Sequence, residues 1–179
     1  MIEITDADLL LRLTNYEDHF VERKTHRDSK DWLKTVVGFA NSAPSGYPAV
    51  LFIGVRNNGE IEDGVNLDTL QKSFAKRLED AYPPIYYMPK VLVKDGKQFL
   101  AVIVPGSEQR PHFAGPSYVR VGSETKVASE PQFQNLIAQR QSKAYEILKW
   151  KGKPVALDDR TWPQPKPGSV ILEDCNQFI

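Results

Sequence analysis

Residues 49–59 read Ala49-Val50-Leu51-Phe52-Ile53-Gly54-Val55-Arg56-Asn57-Asn58-Gly59, a seven-residue apolar or small run closed by a polar turn. A strand with one solvated face alternates apolar and polar side chains, so an unbroken run of this length predicts a strand covered on both faces. Asn57, Asn58 and Gly59 tolerate positive φ and mark the turn that follows.

Working outward towards the N-terminus, residues 42–48 hold two prolines and a glycine and read as a loop. Before it, residues 30–41, introduced by Ser29, carry Trp32, Val36, Val37, Phe39 and Ala40 and form a mostly apolar helix. Residues 19–24 alternate as a strand, with Phe20, Glu22 and Lys24 on one face and Val21 and Arg23 on the other. Thr5 or Asp6 caps a short helix over residues 6–15, whose Leu9, Leu10 and Leu13 share a face.

Towards the C-terminus, Leu67, Leu70, Phe74, Leu78 and Ala81 form the stripe of a third helix that Pro83-Pro84 ends. Residues 86–94 and 98–104 flank Asp95-Gly96, a hairpin signal. A polar loop over residues 105–116 leads to a short strand, 118–121. Ser129 and Pro131 then open a last helix with Phe133, Leu136, Ile137 and Arg140 on one face, running towards Trp150. The expected fold is α+β, a mixed and mainly antiparallel sheet of four to six strands with helices packed against it. From Lys151 there are four prolines in 29 residues and no periodicity. The expected division is therefore a domain over residues 1–150 and a proline-rich arm or linker over 151–179.

With 41% hydrophobic and 26% charged residues the 179-residue chain is not disordered. Its single cysteine, Cys175, excludes an intrachain disulfide and a cysteine metal cage. No apolar run approaches the roughly 18 residues of a membrane span. The acidic start, MIEITDADLL, lacks the pattern of a signal peptide, so a cytoplasmic location and no membrane partner are expected. Twenty-three basic residues balance 23 acidic ones, which does not favour a polyanion partner. Residues 86–126, however, hold six basic side chains against three acidic ones, either a local basic face or ordinary solvated strands and loops. No glycine-rich strand-to-helix loop and no GxxxxGK motif occurs, so no nucleotide cofactor is expected.

Glu22 and Lys24, two apart on a strand, point the same way. A carboxylate that holds a divalent cation beside a lysine that steadies phosphorane charge suits phosphodiester cleavage; the other reading is a solvated strand face with one weak ion pair. Arg120, on a strand and followed by Gly122-Ser123, offers a bidentate phosphate contact beside backbone N–H groups, or else a surface salt bridge on an edge strand. Arg110 and His112 either extend a phosphate track or belong to a mobile solvated loop. His19 and His26 flank the Glu22 strand without metal-pair spacing. Tyr86 and Tyr87 are candidates for base stacking or half-buried core, and Trp32 and Trp150 are assigned to packing.

Taken in order, Glu17/Glu22/Lys24, Phe39-Ala40-Asn41-Ser42, Ile53-Gly54-Val55, Asn57 with Gly59, and Tyr118-x-Arg120-x-Gly122-Ser123 resemble the Schlafen AlbA_2 domain family over about residues 10–150. The resemblance implies nucleic-acid contact, RNA more than DNA. In the nucleolytic Schlafens two glutamates matching Glu17 and Glu22 act with an aspartate on a divalent metal to cut RNA. That implies Glu17, Glu22 and Lys24 as catalytic residues and Glu17, Glu22 and Asn57 as ligands of Mg²⁺ or Mn²⁺. Arg120, Ser123, Arg110 and Lys126 are then the nucleic-acid contacts. Two departures stand out: the aspartate position is the amide Asn57, with Glu62 or Asp63 as possible substitutes, and the family's Gly-Gly loop is replaced by a longer one over residues 43–48. The resemblance also implies pairing of two copies, hence a homodimer. A catalytically inactive nucleic-acid-binding regulator or a protein-interaction module is the alternative.

Overall fold

A computed structural model describes residues 4–15, 18–44 and 46–140. The elements are α1 (Asp6–Thr14), β1 (Val21–Lys24), α2 (Ser29–Ser42), β2 (Ala49–Ile53) and α3 (Leu67–Leu78). After them come β3 (Met88–Lys94), β4 (Lys97–Val104), β5 (Tyr118–Val121), β6 (Glu124–Val127) and α4 (Glu130–Gln139). All lie in one compact unit. A domain boundary near residue 150, the arm beyond it and Trp150 fall outside the described residues.

The main sheet has the order β1-β2-β4-β3, and β5 and β6 form a separate hairpin. β1 and β2 are parallel, while β2–β4 and β3–β4 are antiparallel. The fold is thus α+β with a mixed sheet, as the element order implies. Every residue of β2 is buried, because its alternate side chains feed two cores. Ala49, Leu51 and Ile53 pack with Trp32, Val36 and Phe39 of α2 and Leu70, Phe74 and Leu78 of α3. Val50 and Phe52 pack with Leu9 and Leu13 of α1 and Phe99 of β4. Trp32 is core, tilted against Phe74 at 5.9 Å. Tyr87 also packs edge-on to Phe74, whereas Tyr86 stands exposed.

Two features differ from the sequence expectation. β1 begins at Val21, because the Asp18 carboxylate accepts from the Phe20 N–H at 2.6 Å and holds His19 and Phe20 in a turn. Residues 124–127 form an unforeseen strand. The last helix closes at Gln139, where the extended Arg140 donates its N–H to the Ile137 carbonyl; the expected run from there towards Trp150 lies outside the described residues.

Candidate nucleic-acid cleft

In the parallel register Glu22 lies opposite Leu51 and Arg23 opposite Phe52. Glu22 and Lys24 therefore face the α2 layer, and Arg23 faces α1. Arg23 is buried there and donates to the last carbonyls of α1, Leu13 at 2.7 Å and Asn15. This is the favourable place for a cation, at the negative end of the helix. Both faces of β1 are covered, which corrects the solvated-face reading of Glu22; the residue is 7% exposed.

Glu22 survives burial because it is doubly paired. One carboxylate oxygen accepts from Lys24 Nζ at 2.8 Å and the other from Arg120 Nη1 at 2.9 Å. Arg120 arrives on β5, which packs on α2. Its Nη1 also donates to Thr125 Oγ1 at 2.8 Å, its Nη2 to the carbonyls of Ser123 (2.8 Å) and Asp18 (3.1 Å), and its Nε to that of His19 (3.3 Å). A guanidinium has five N–H groups, and all five are engaged. The Phe39 ring lies 5.0 Å beneath. Arg120 is thus neither a free phosphate ligand nor a surface salt bridge: it is a buried pin joining β1, the turn before it and the β5–β6 hairpin. Gly38 allows the close approach, since a Cβ there would lie 3.1 Å from Thr125 Cγ2.

The end of α2 holds the rest of this wall. Asn41, fully buried, donates to the carbonyls of His112 and Tyr118 and to Ser117 Oγ, and accepts the His112 N–H at 2.8 Å. Ser42 Oγ accepts the Arg120 N–H at 2.8 Å. His112 is not part of a solvated loop: its Nδ1 meets the Pro83 carbonyl at 2.7 Å and its Nε2 meets Ser107 Oγ at 2.6 Å. Burial is the main reason its pKa lies below the ordinary value, with Arg110 and Arg140 adding to the effect. Arg110 is likewise engaged, with Ser107, Gln139 and Ala43. Burial lowers the pKa of His19, and Arg120 reinforces the shift.

Between β1, α2 and the hairpin lies an open cleft of about 290 Å³, lined by Glu22, Lys24, Lys34, Ser123 and Lys126 among others. Lys34 and Lys126 are 42% and 56% exposed, each in an ion pair with a neighbour, Asp31 and Glu124. The sequence reading singled out Asn41 within its family motif but missed Lys34 and Thr125 as contributors. The pairing of Thr125 with Arg120 across the hairpin was the signal to be had, once β6 was recognised.

The residues described do not fit a divalent metal at Glu22. Asn57 lines a different pocket, of about 330 Å³, with Arg23 and the end of α1, on the opposite face of β1. Glu62 binds His26 Nδ1 at 2.9 Å, and Asp63 binds Lys97 at 2.9 Å. Among the described residues no three His, Cys, Asp or Glu side chains are grouped to hold a metal ion. Glu17 lies outside the described residues.

A Schlafen AlbA_2 family profile matches residues 17–129. Among solved structures, the DIP2311 protein from Corynebacterium diphtheriae is 15% identical with a TM-score of 0.48. It covers 69% of this chain and 24% of its own, so this chain spans about a quarter of that protein's length. The N-terminal domain of a protein related to the ATP-dependent DNA helicase RecG, from Nitrosomonas europaea, is 23% identical with a TM-score of 0.51. That likeness covers 72% of this chain and 97% of that one, and it supports the fold. No curated protein matches the chain. The profile takes in β1, the end of α2 and the Arg120 hairpin, the segments that build the cleft. The chain belongs to the Schlafen AlbA_2 family, which ties it to nucleic acids.

Proposed function

We propose that this domain binds nucleic acid, RNA in preference to DNA, by its backbone phosphates at the cleft between β1, α2 and the β5–β6 hairpin. The observation that carries this reading is the convergence of Lys24, Lys34 and Lys126 on an open cleft whose buried carboxylate is already neutralised. The Lys34–Asp31 and Lys126–Glu124 pairs are solvent-exposed, and such pairs are worth only about 0–1 kcal/mol, so a phosphate can replace either carboxylate at little cost. Ser123 adds a small hydroxyl donor at the rim. The preference for RNA, the pairing of two copies and a cytoplasmic setting rest on the family resemblance and the sequence. Among the described residues no helix is long and apolar enough to cross a membrane.

Glu22 is held by two cations and Asn57 lies on the opposite face of β1, which favours binding over metal-dependent cleavage. Incubation of a tRNA pool with the chain and Mg²⁺ or Mn²⁺ is expected to leave the RNA intact; cutting that Glu22→Gln abolishes would restore the nuclease reading. The net charge of zero favours a second reading, a protein-interaction module. Salt separates the two, because phosphate contacts release counterions and weaken steeply as salt rises.

A further inference from the structure

We infer that Glu22 is a positioning residue, the built-in counter-ion that latches Arg120 and the β5–β6 hairpin onto β1, rather than a ligand to a divalent cation. This deepens the binding reading of the same cleft, on which its RNA arm rests.

The Glu22 carboxylate has no free oxygen to offer a metal. Its two oxygens accept from two different cations, at 2.8 and 2.9 Å, and the side chain is 9% exposed. A magnesium ion at Glu22 would stand beside Lys24 and Arg120, the two cations that already hold its carboxylate oxygens. It would also need near-octahedral oxygen coordination, yet among the described residues Asp31 and Glu124, the other acids of the lining, each hold a lysine of their own.

Arg120 ties the carboxylate to Thr125 of β6, to the Ser123 carbonyl at the hairpin tip and to the turn carbonyls of Asp18 and His19. Ser42 fixes the Arg120 backbone from the end of α2. Arg120 thus holds Glu22 by its side chain and Ser42 by its backbone, two residues far from it in sequence. The three frame the cleft wall, and the exposed lysines are left to meet the ligand. Because Glu22 offsets one positive charge at the floor of the cleft, removing its charge makes the cleft more attractive to phosphate, the reverse of what removal of a metal ligand does. Glutamine preserves an oxygen that accepts from Arg120, so Glu22→Gln alters charge more than shape.

The experiment compares the wild-type chain with Glu22→Gln in three measurements: Mn²⁺ titration by electron paramagnetic resonance, affinity for a labelled single-stranded oligouridine, and amide exchange over residues 118–127. The expected results are the same Mn²⁺ titration for both proteins, RNA affinity roughly threefold or more higher in the variant at low salt, and hairpin exchange about tenfold faster. A Mn²⁺ ion bound by the wild type and lost in the variant overturns the inference, and so does unchanged hairpin exchange. Should neither protein bind RNA, the binding reading fails while Mn²⁺ and exchange still decide the latch. If the variant does not fold, the wild type suffices: its hairpin exchange is expected to ignore added Mg²⁺, and acceleration by Mg²⁺ would show the metal taking Glu22 from Arg120.

Discussion

Arg120 reads from sequence as an exposed strand arginine beside a glycine-serine turn, yet its side chain is 1% exposed. What reverses the reading is Glu22, 98 positions away, together with the distant carbonyls of Asp18 and His19 in the turn before β1. No local pattern announces such a partnership. Removing one partner of a buried pair leaves the other charge uncompensated, so Arg120→Met is expected to lower stability by about 3 kcal/mol in urea unfolding. The double variant Glu22→Gln/Arg120→Met should lose less than the sum of the two single changes. Asn41→Asp sets a carboxylate against two carbonyls that now accept from the amide, and a large downward shift of the unfolding midpoint is expected. His112 supplies a pH test. Burial holds its pKa below 6.5, so the unfolded chain binds the proton more readily than the folded one. Stability is then full above about pH 6.5 and falls as pH drops below it, a dependence that His112→Gln should flatten.

At the scale of elements, legibility tracked local chemistry. The β3–β4 hairpin was readable because Asp95-Gly96 separates two apolar runs, and the register joins Lys94 to Lys97 as that turn demands. The doubly buried β2 was readable from its unbroken apolar run. The β5–β6 hairpin was only half readable. Val121-Gly122-Ser123-Glu124 is a two-residue connection with glycine first, at φ 60, but Glu124, Thr125 and Lys126 made β6 look like loop. Gly122→Ala forces a side chain into that left-handed position and is expected to cost about 1 kcal/mol. Because the hairpin is one wall of the cleft, the same change should weaken RNA binding more than it lowers the melting temperature would suggest.

At the scale of the molecule, the balance of 23 against 23 charges misleads because opposite charges are not interchangeable in place. Glu22 lies buried as a counter-ion, while Lys34 and Lys126 stand exposed on the rim. Of the residues in the family pattern, Glu22 and Arg120 form the frame of the cleft, while Asn57 lines a pocket with Arg23 and the end of α1 on the other face of β1. The direct measurement is the affinity of the chain for a single-stranded RNA across a salt series, alongside Lys34→Gln/Lys126→Gln. Phosphate binding at these lysines gives a logarithmic affinity that falls linearly with logarithmic salt, with the double variant weaker and its slope shallower by roughly 1.4. An affinity indifferent to salt, or equal slopes for the two proteins, would contradict it.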